Sequence, residues 1–414
     1  MALLDVDRRV IALGFARMAD SLGNSFLIVV LPAYIASVVG RDGMVVGGTA
    51  LATPLLVGVV LSLFGFLNSG LQPLTGRLSD RAGTRRGFIL LGLALLGAAS
   101  AVYPLADSYP AILALRGFQG IGAALTIPAT VALVNEVGDA GSRGGNFGVF
   151  NTFRLVGFGF GPFVAGAVQQ AYGFTAAFAV AVVGAAVGFG LVFLLIEDPD
   201  EVGAEAADDV SLSVRGEDGG LDPVFALGVA TVVMAMGLAL FATLEGPVNE
   251  RLDQGAFLFG AQFGVAVLAN VVLQAPIGSA SDRVGRRPFI LGGFVLLVPA
   301  TAVQGFVTTS ETMLLARLLQ GVAVAMVFSP SLALVGDLAG RGQSGSTLAV
   351  LTTGFGLGVA IGPLVSGVLV TVGYAVPFLA VAGLGLVALL IVFTQVGEPD
   401  VGERDASGPP APGE

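Results

Sequence analysis

Twelve apolar stretches of twenty residues or more follow one another through this chain of 414 residues, at 10–36, 47–71, 87–106, 111–134, 146–168, 174–196, 224–245, 256–276, 288–308, 312–335, 346–370 and 375–395. A helix needs about 20 apolar residues to cross about 30 Å of hydrocarbon, so each stretch is long enough to span a bilayer. Inside a bilayer every backbone N–H and C=O must be satisfied by the chain itself, which leaves helices or a closed barrel. A barrel would show short alternating segments, and none occur. The fold class is therefore an all-α membrane protein with twelve transmembrane helices.

The spans fall into two sets of six. Residues 76–85 and 278–287 both read G-x-x-S-D-R-x-G-x-R, once after the second span and once after the eighth. Four further matches follow the same order. Asn68 and Gln72 pair with Asn270 and Gln274, Arg116-x-x-Gln119-Gly120 with Arg317-x-x-Gln320-Gly321, and Pro128 with Pro330. Gly157-x-x-x-Gly161-Pro162 pairs with Gly358-x-x-x-Gly362-Pro363. Corresponding loops keep the same side, so the repeat is parallel, about an axis along the membrane normal. Two pseudo-symmetric six-helix bundles are expected, 1–196 and 223–396. An acidic cytoplasmic linker at 197–222 joins them and a polar tail at 397–414 follows, both too polar to span and expected to be flexible.

Arginine sets the orientation. With both termini cytoplasmic, thirteen loop and terminal arginines lie inside, and only Arg41 and Arg251 lie outside. A multi-pass protein of the cell membrane with cytoplasmic termini is expected. The first apolar run is longer than a signal-peptide core and lacks a small-residue cleavage site, so it reads as the first span. All 19 basic residues are Arg, and His, Cys and Trp are absent. That removes imidazole and thiolate as metal ligands or nucleophiles, and no acid pair at catalytic spacing or ATP-binding glycine loop appears. Neither an enzyme, a metal site nor a cofactor is expected. The arginines form no extended positive face, so nucleic acid is not a partner. A formal charge of −10 without lysine suits a salt-loving cell, where surface charge is strongly screened, or a lysine-poor genome.

The repeated loop, the R-x-x-Q-G of span 4 and the G-x-x-x-G-P of span 5 resemble the signature motifs of the major facilitator superfamily. The branch most similar in motifs is that of twelve-span proton-coupled efflux transporters. Thr84 stands where a basic residue is usual and Ala280 where a large apolar one is common. The resemblance implies two six-helix bundles that rock about a midplane site. It implies a cytoplasmic gate formed by Gly76, Asp80, Arg81, Gly83 and Arg85 with Gly278, Asp282, Arg283, Gly285 and Arg287, joined by Glu136 and Arg143. It also implies that the glycine–proline face at Gly157, Gly161 and Pro162, with Gly358, Gly362 and Pro363, seals the route between the halves.

Charges inside the spans carry the rest. Ionised groups in hydrocarbon are costly, so Arg17, Asp20, Arg116, Arg154 and Arg317 should face a cavity, a partner or an interface. Asp20 is the first candidate for proton coupling and Glu245, at the outer end of span 7, the second, with Arg17 and Arg116 beside them. A static Arg17–Asp20 salt bridge is the alternative. Arg154, Asn24, Asn68, Asn151, Gln262 and Asn270 are candidates to line the substrate cavity, although amides in spans also glue helices together. The expected activity is export of a small organic or amphipathic solute in exchange for protons, or for sodium, by a monomer. An importer or facilitator of a sugar or organic anion and a non-transporting membrane scaffold are the alternatives.

Overall fold

The structure, a computed structural model, describes residues 8–40, 42–136, 143–198, 214–216, 219–338 and 344–398. Among these, eleven helices are long and apolar enough to cross a membrane. They are α1 (Arg8–Val39), α2 (Thr53–Ala82), α3 (Arg86–Val102), α4 (Tyr109–Glu136), α5 (Arg143–Leu195), α6 (Pro223–Ala239), α8 (Ala256–Val284), α9 (Arg286–Ala302), α10 (Ser310–Leu338), α11 (Ser344–Leu369) and α12 (Val376–Gln395). The helix α5 breaks at Gly173, whose φ of 79° lies in the left-handed region open to glycine, so its two arms supply spans 5 and 6 and the total is twelve. A short polar helix, α7 (Glu245–Leu252), follows the 3₁₀ turn Leu240–Thr243 at the end of span 7.

Two boundaries differ from the sequence reading. Span 2 begins at Thr53, because residues 44–51 form a hairpin of β1 (Met44–Val46) and β2 (Thr49–Leu51). Gly47 and Gly48 make its turn with φ of 58° and 85°. The repeated motif is mostly helix. The helix α2 continues through Asp80 and stops where Gly83, at φ 64°, caps it by donating its N–H to the Asp80 carbonyl. Hydropathy marks the bilayer-crossing part of a helix and is silent on the polar turns beyond it.

The packing repeats with the sequence. Within the halves α1 packs on α5 as α6 packs on α11, and α2 on α4 as α8 on α10. Between the halves, α2 meets α11 and α5 meets α8. The apolar cores show how far the halves touch. At the end away from the arginine loops a single cluster draws on both halves, including Phe26, Val30, Leu61 and Phe178 with Phe241, Phe259, Phe263 and Phe378. Towards the arginine loops it divides into one cluster around Leu13, Ile89 and Leu133 and another around Leu227, Ile290 and Leu334. A shared core thus closes the bundles together at the far face, and towards the arginine loops each bundle keeps a core of its own.

Candidate functional site

The polar centre of the first bundle is assembled from α1, α4 and α5. Arg17 and Asp20 share one face of α1, three residues apart, and form an ion pair. Asp20 is 7 % exposed, and its Oδ1 has no hydrogen-bond partner among the described residues. Arg154 on α5 lies close enough to act electrostatically on both, and its Nε donates to Asn151 Oδ1 at 2.8 Å. The helices can approach this closely because Gly157 and Gly161 face α1. A Cβ on Gly157 would collide with the Met18 carbonyl, and one on Gly161 with the Ser25 hydroxyl. The glycine face is therefore an intra-bundle contact. The carbonyl of Pro162 is what meets the other half, against Gly260.

One turn of α1 beyond Asp20, Asn24 accepts from Arg116 Nη2 at 3.2 Å. Arg116 is fully buried, donates to Gln119 at 3.1 Å and lies 4.1 Å above the Phe64 ring. Gln119 donates in turn to Ser100. A small cavity of about 20 Å³ lies among Asp20, Asn24, Ser100, Arg116 and Gln119. That is room for a single water and too small for an organic solute.

The second bundle repeats the frame without the charges. Arg317 donates to Gln320 and to the Gln262 carbonyl, and stacks on Phe241 at 4.4 Å. It has no carboxylate partner among the described residues. Gly358 and Gly362 pack against α6, and the carbonyl of Pro363 meets Gly58 across the interface. Gln262 is fully buried and exchanges hydrogen bonds with Gln254, next to Ser310, so it lies in an amide cluster of its own bundle. Asn68 accepts from Gln72 at 3.1 Å and Asn270 from Gln274 at 3.2 Å, in equivalent places on α2 and α8.

Each arginine loop is tied to its own bundle. Asp80 pairs with Arg85, and Asp282 with Arg286 at 3.2 Å. Arg81 and Arg283 are exposed. Gly76 faces Pro128 of α4, and Gly278 faces Ser329 of α10. The side chains of Glu136 and Arg143 lie outside the described residues. Two carboxylates that sequence reasoning left in the linker and tail are part of this region. Asp198 accepts the N–H groups of Arg85 and Arg86 at 2.6 and 2.8 Å and the Thr84 hydroxyl at 2.7 Å. Glu398 accepts those of Arg286 and Arg287 at 2.8 and 2.7 Å. In the second half the donor pair moves back one residue in the repeat, because Pro288, the counterpart of Arg86, has no N–H to give. The signal for both was present in the repeat: an acid followed by proline just past the last helix of each half, Asp198-Pro199 and Glu398-Pro399.

Glu245 belongs to neither centre. It opens α7, just past the span ending at Thr243, and is 3 % exposed at the far face. Its Oε2 accepts the Ala33 N–H of α1 at 2.9 Å, and the Gln169 side chain of α5 donates to it. Burial pushes its carboxyl up to about 8, against the lowering effect of those two hydrogen bonds. Among the described residues no group of three His, Cys, Asp or Glu is placed to hold a metal.

A family model described as the Major Facilitator Superfamily matches residues 13–242 and, again, 225–412. An uncharacterized MFS-type transporter of Methanocaldococcus jannaschii is 26 % identical over 174 residues, 42 % of this chain and 45 % of that protein. For that relative the likeness thus spans under half its length. An uncharacterized MFS-type transporter of Mycobacterium tuberculosis is 24 % identical over 368 residues, 84 % of this chain and 87 % of that protein. Two solved structures share the fold. One is a bacterial homolog of the human lysosomal transporter Spinster in an inward-facing, occupied conformation (TM-score 0.74, 15 % identity, 93 % of this chain and 96 % of that one). The other is the human organic anion transporter MFSD10 (TM-score 0.64, 23 % identity, 93 % and 99 %).

Proposed function

Since the chain belongs to the Major Facilitator Superfamily, we propose that it exports a small organic or amphipathic solute in exchange for protons, by rocking its two bundles about the polar centre at Asp20. Asp20 carries this reading. It is a buried carboxylate with one oxygen unpartnered among the described residues, set between Arg17 and Arg154 in the bundle that holds most of the intramembrane charge. A proton taken up by Asp20 cancels its charge and releases Arg17 from the ion pair. Two uncompensated cations, Arg17 and Arg154, then stand together between α1 and α5. The small cavity, with room for one water, lies between Asp20 and Arg116, and through it the change can reach α4. With both termini in the cytoplasm, the arginine-loop face is the inner one and the far face the outer one. In a sodium-rich cell, sodium replaces the proton in the exchange.

A second reading concerns the cargo. Three arginines against one carboxylate leave this centre net positive, which suits an organic anion, the class named for MFSD10. Solute flux into proteoliposomes tests both. Asp20→Asn should abolish flux driven by a pH gradient while sparing counterflow exchange, and unchanged pH-driven flux would sink the coupling role. In the same vesicles Arg154→Gln should weaken an anionic solute far more than a neutral one. Drive by a sodium gradient alone would replace the proton.

A further inference from the structure

We propose that Glu245 is a pH-sensitive bolt of the far face: it reaches from one bundle to the other, holds the face shut while buried there, and lets the face part when it ionises. The inference rests on the alternating-access reading above, and it concerns a proton that is sensed but not carried.

The geometry is that of a crossing contact. Glu245 belongs to the second bundle, and both of its donors, the Ala33 N–H and the Gln169 side chain, belong to the first. Ala33 follows Pro32, whose ring crowds the carbonyls of the preceding turn of α1. Gln170, next to Gln169, makes a second crossing contact by accepting the Phe257 N–H at 3.1 Å. When the bundles part at this face, Glu245 loses both donors and gains water.

Among the described residues no cation offsets the carboxylate in the closed state. On α1, Tyr34 turns its hydroxyl away, to the carbonyls of Tyr103 and Ala106. On α5 the group that faces it is the Gln169 amide, and Gln262 of α8 is engaged with Gln254. On α7 itself Glu250 and Asp253 are exposed, and Arg251 donates to the Val307 carbonyl and stacks on Tyr374. Burial therefore favours the neutral acid while the face is shut, and hydration favours the carboxylate once it is open.

Linkage gives the sign. The closed state keeps a proton that the open state loses between the ordinary glutamate value, about 4.3, and about 8. Across that window each pH unit costs the closed state up to about tenfold in population, and above it nothing more is lost. Acid at the far face locks the protein shut. Because this proton enters and leaves on one side, it drives no transport. Ala33 is thirteen residues along α1 from Asp20, about 20 Å at the helical rise, so the bolt and the coupling carboxylate are separate.

The absence of native cysteine makes the test direct. Spin labels at Ser108→Cys and Thr308→Cys, exposed at the far face of opposite bundles, report the inter-bundle distance in nanodiscs from pH 5 to 9. The long-distance population should rise at least tenfold between pH 6 and 8. Glu245→Gln keeps an acceptor but cannot ionise, and should hold the short distance at every pH. Gln169→Leu removes a donor to the carboxylate, so the rise should extend to higher pH. A rise that persists unchanged in Glu245→Gln, a profile unaltered by Gln169→Leu, or a wild-type distance that ignores pH would each overturn the bolt. Flux through unlabelled protein keeps the two readings apart: flux with a pH-indifferent far face removes the bolt alone, and absence of flux removes the transport reading.

Discussion

Asp198 shows what a single carboxylate does far from where its neighbours in sequence would place it. It lies in a stretch whose acidity reads as solvated linker, yet it accepts the first N–H groups of α3 from 113 residues away at Arg85. Those donors have no partner inside the helix, and the positive end of the helix dipole favours an anion there. Asp198→Ala should cost about 1 kcal/mol, the usual loss for a helix cap, and Asp198→Asn less, since an amide oxygen still accepts. Thermal melting followed by circular dichroism checks this, and a melting point unmoved by Asp198→Ala would show that the cap contributes nothing. Composition could not expose the contact, because capping depends on which acid the fold delivers to a helix end. Asp20 was legible for the opposite reason: a carboxylate inside an apolar run is conspicuous whatever it touches. That Arg154 shares its site was not legible, since two spans must be docked before their side chains can be.

At the scale of elements, apolar length revealed each membrane crossing and left the ends of the helices open. The extra turns of α2 and the hairpin at 44–51 follow from local chemistry, a glycine cap in one case and a Gly-Gly turn in the other. The G-x-x-x-G spacing in α5 announced close packing, and only the docked structure shows that its partner is α1 of the same bundle. A substitution there attacks the bundle itself. Gly157→Val would drive a side chain into the Met18 carbonyl, and overpacking of this kind typically costs about 1–3 kcal/mol. Gly190, in the other arm of α5, has nothing within 4 Å of a built Cβ. Gly190→Ala should be neutral or slightly stabilising, as alanine is the better helix former. Comparing the melting of the two variants separates packing from glycine content, and equal melting would deny that the α1–α5 contact is tight.

At the scale of the molecule, the repeat places glycine where the bundles touch. Cβ atoms on Gly58 and Gly260 would strike the carbonyls of Pro363 and Pro162, and those on Gly166 and Gly367 the carbonyls of Ala256 and Pro54. All four contacts join opposite bundles at the closed end, and the other end has two separate cores. A side chain added here leaves each bundle's own packing intact and penalises only the state in which they meet. Gly58→Leu should therefore open the far face without unfolding the protein. An overpacked contact worth about 1–3 kcal/mol moves a two-state equilibrium by about 5- to 150-fold, whereas about 5.5 kcal/mol is needed to swing it from 1:99 to 99:1. The expected result is a partial shift, read as a larger long-distance population between labels at positions 108 and 308 at pH 6. Melting should change less than for Gly157→Val, because the strain is relieved by a motion the protein already makes. An unchanged distance with a lowered melting point would mean that the two bundles move as one body, which alternating access cannot accommodate.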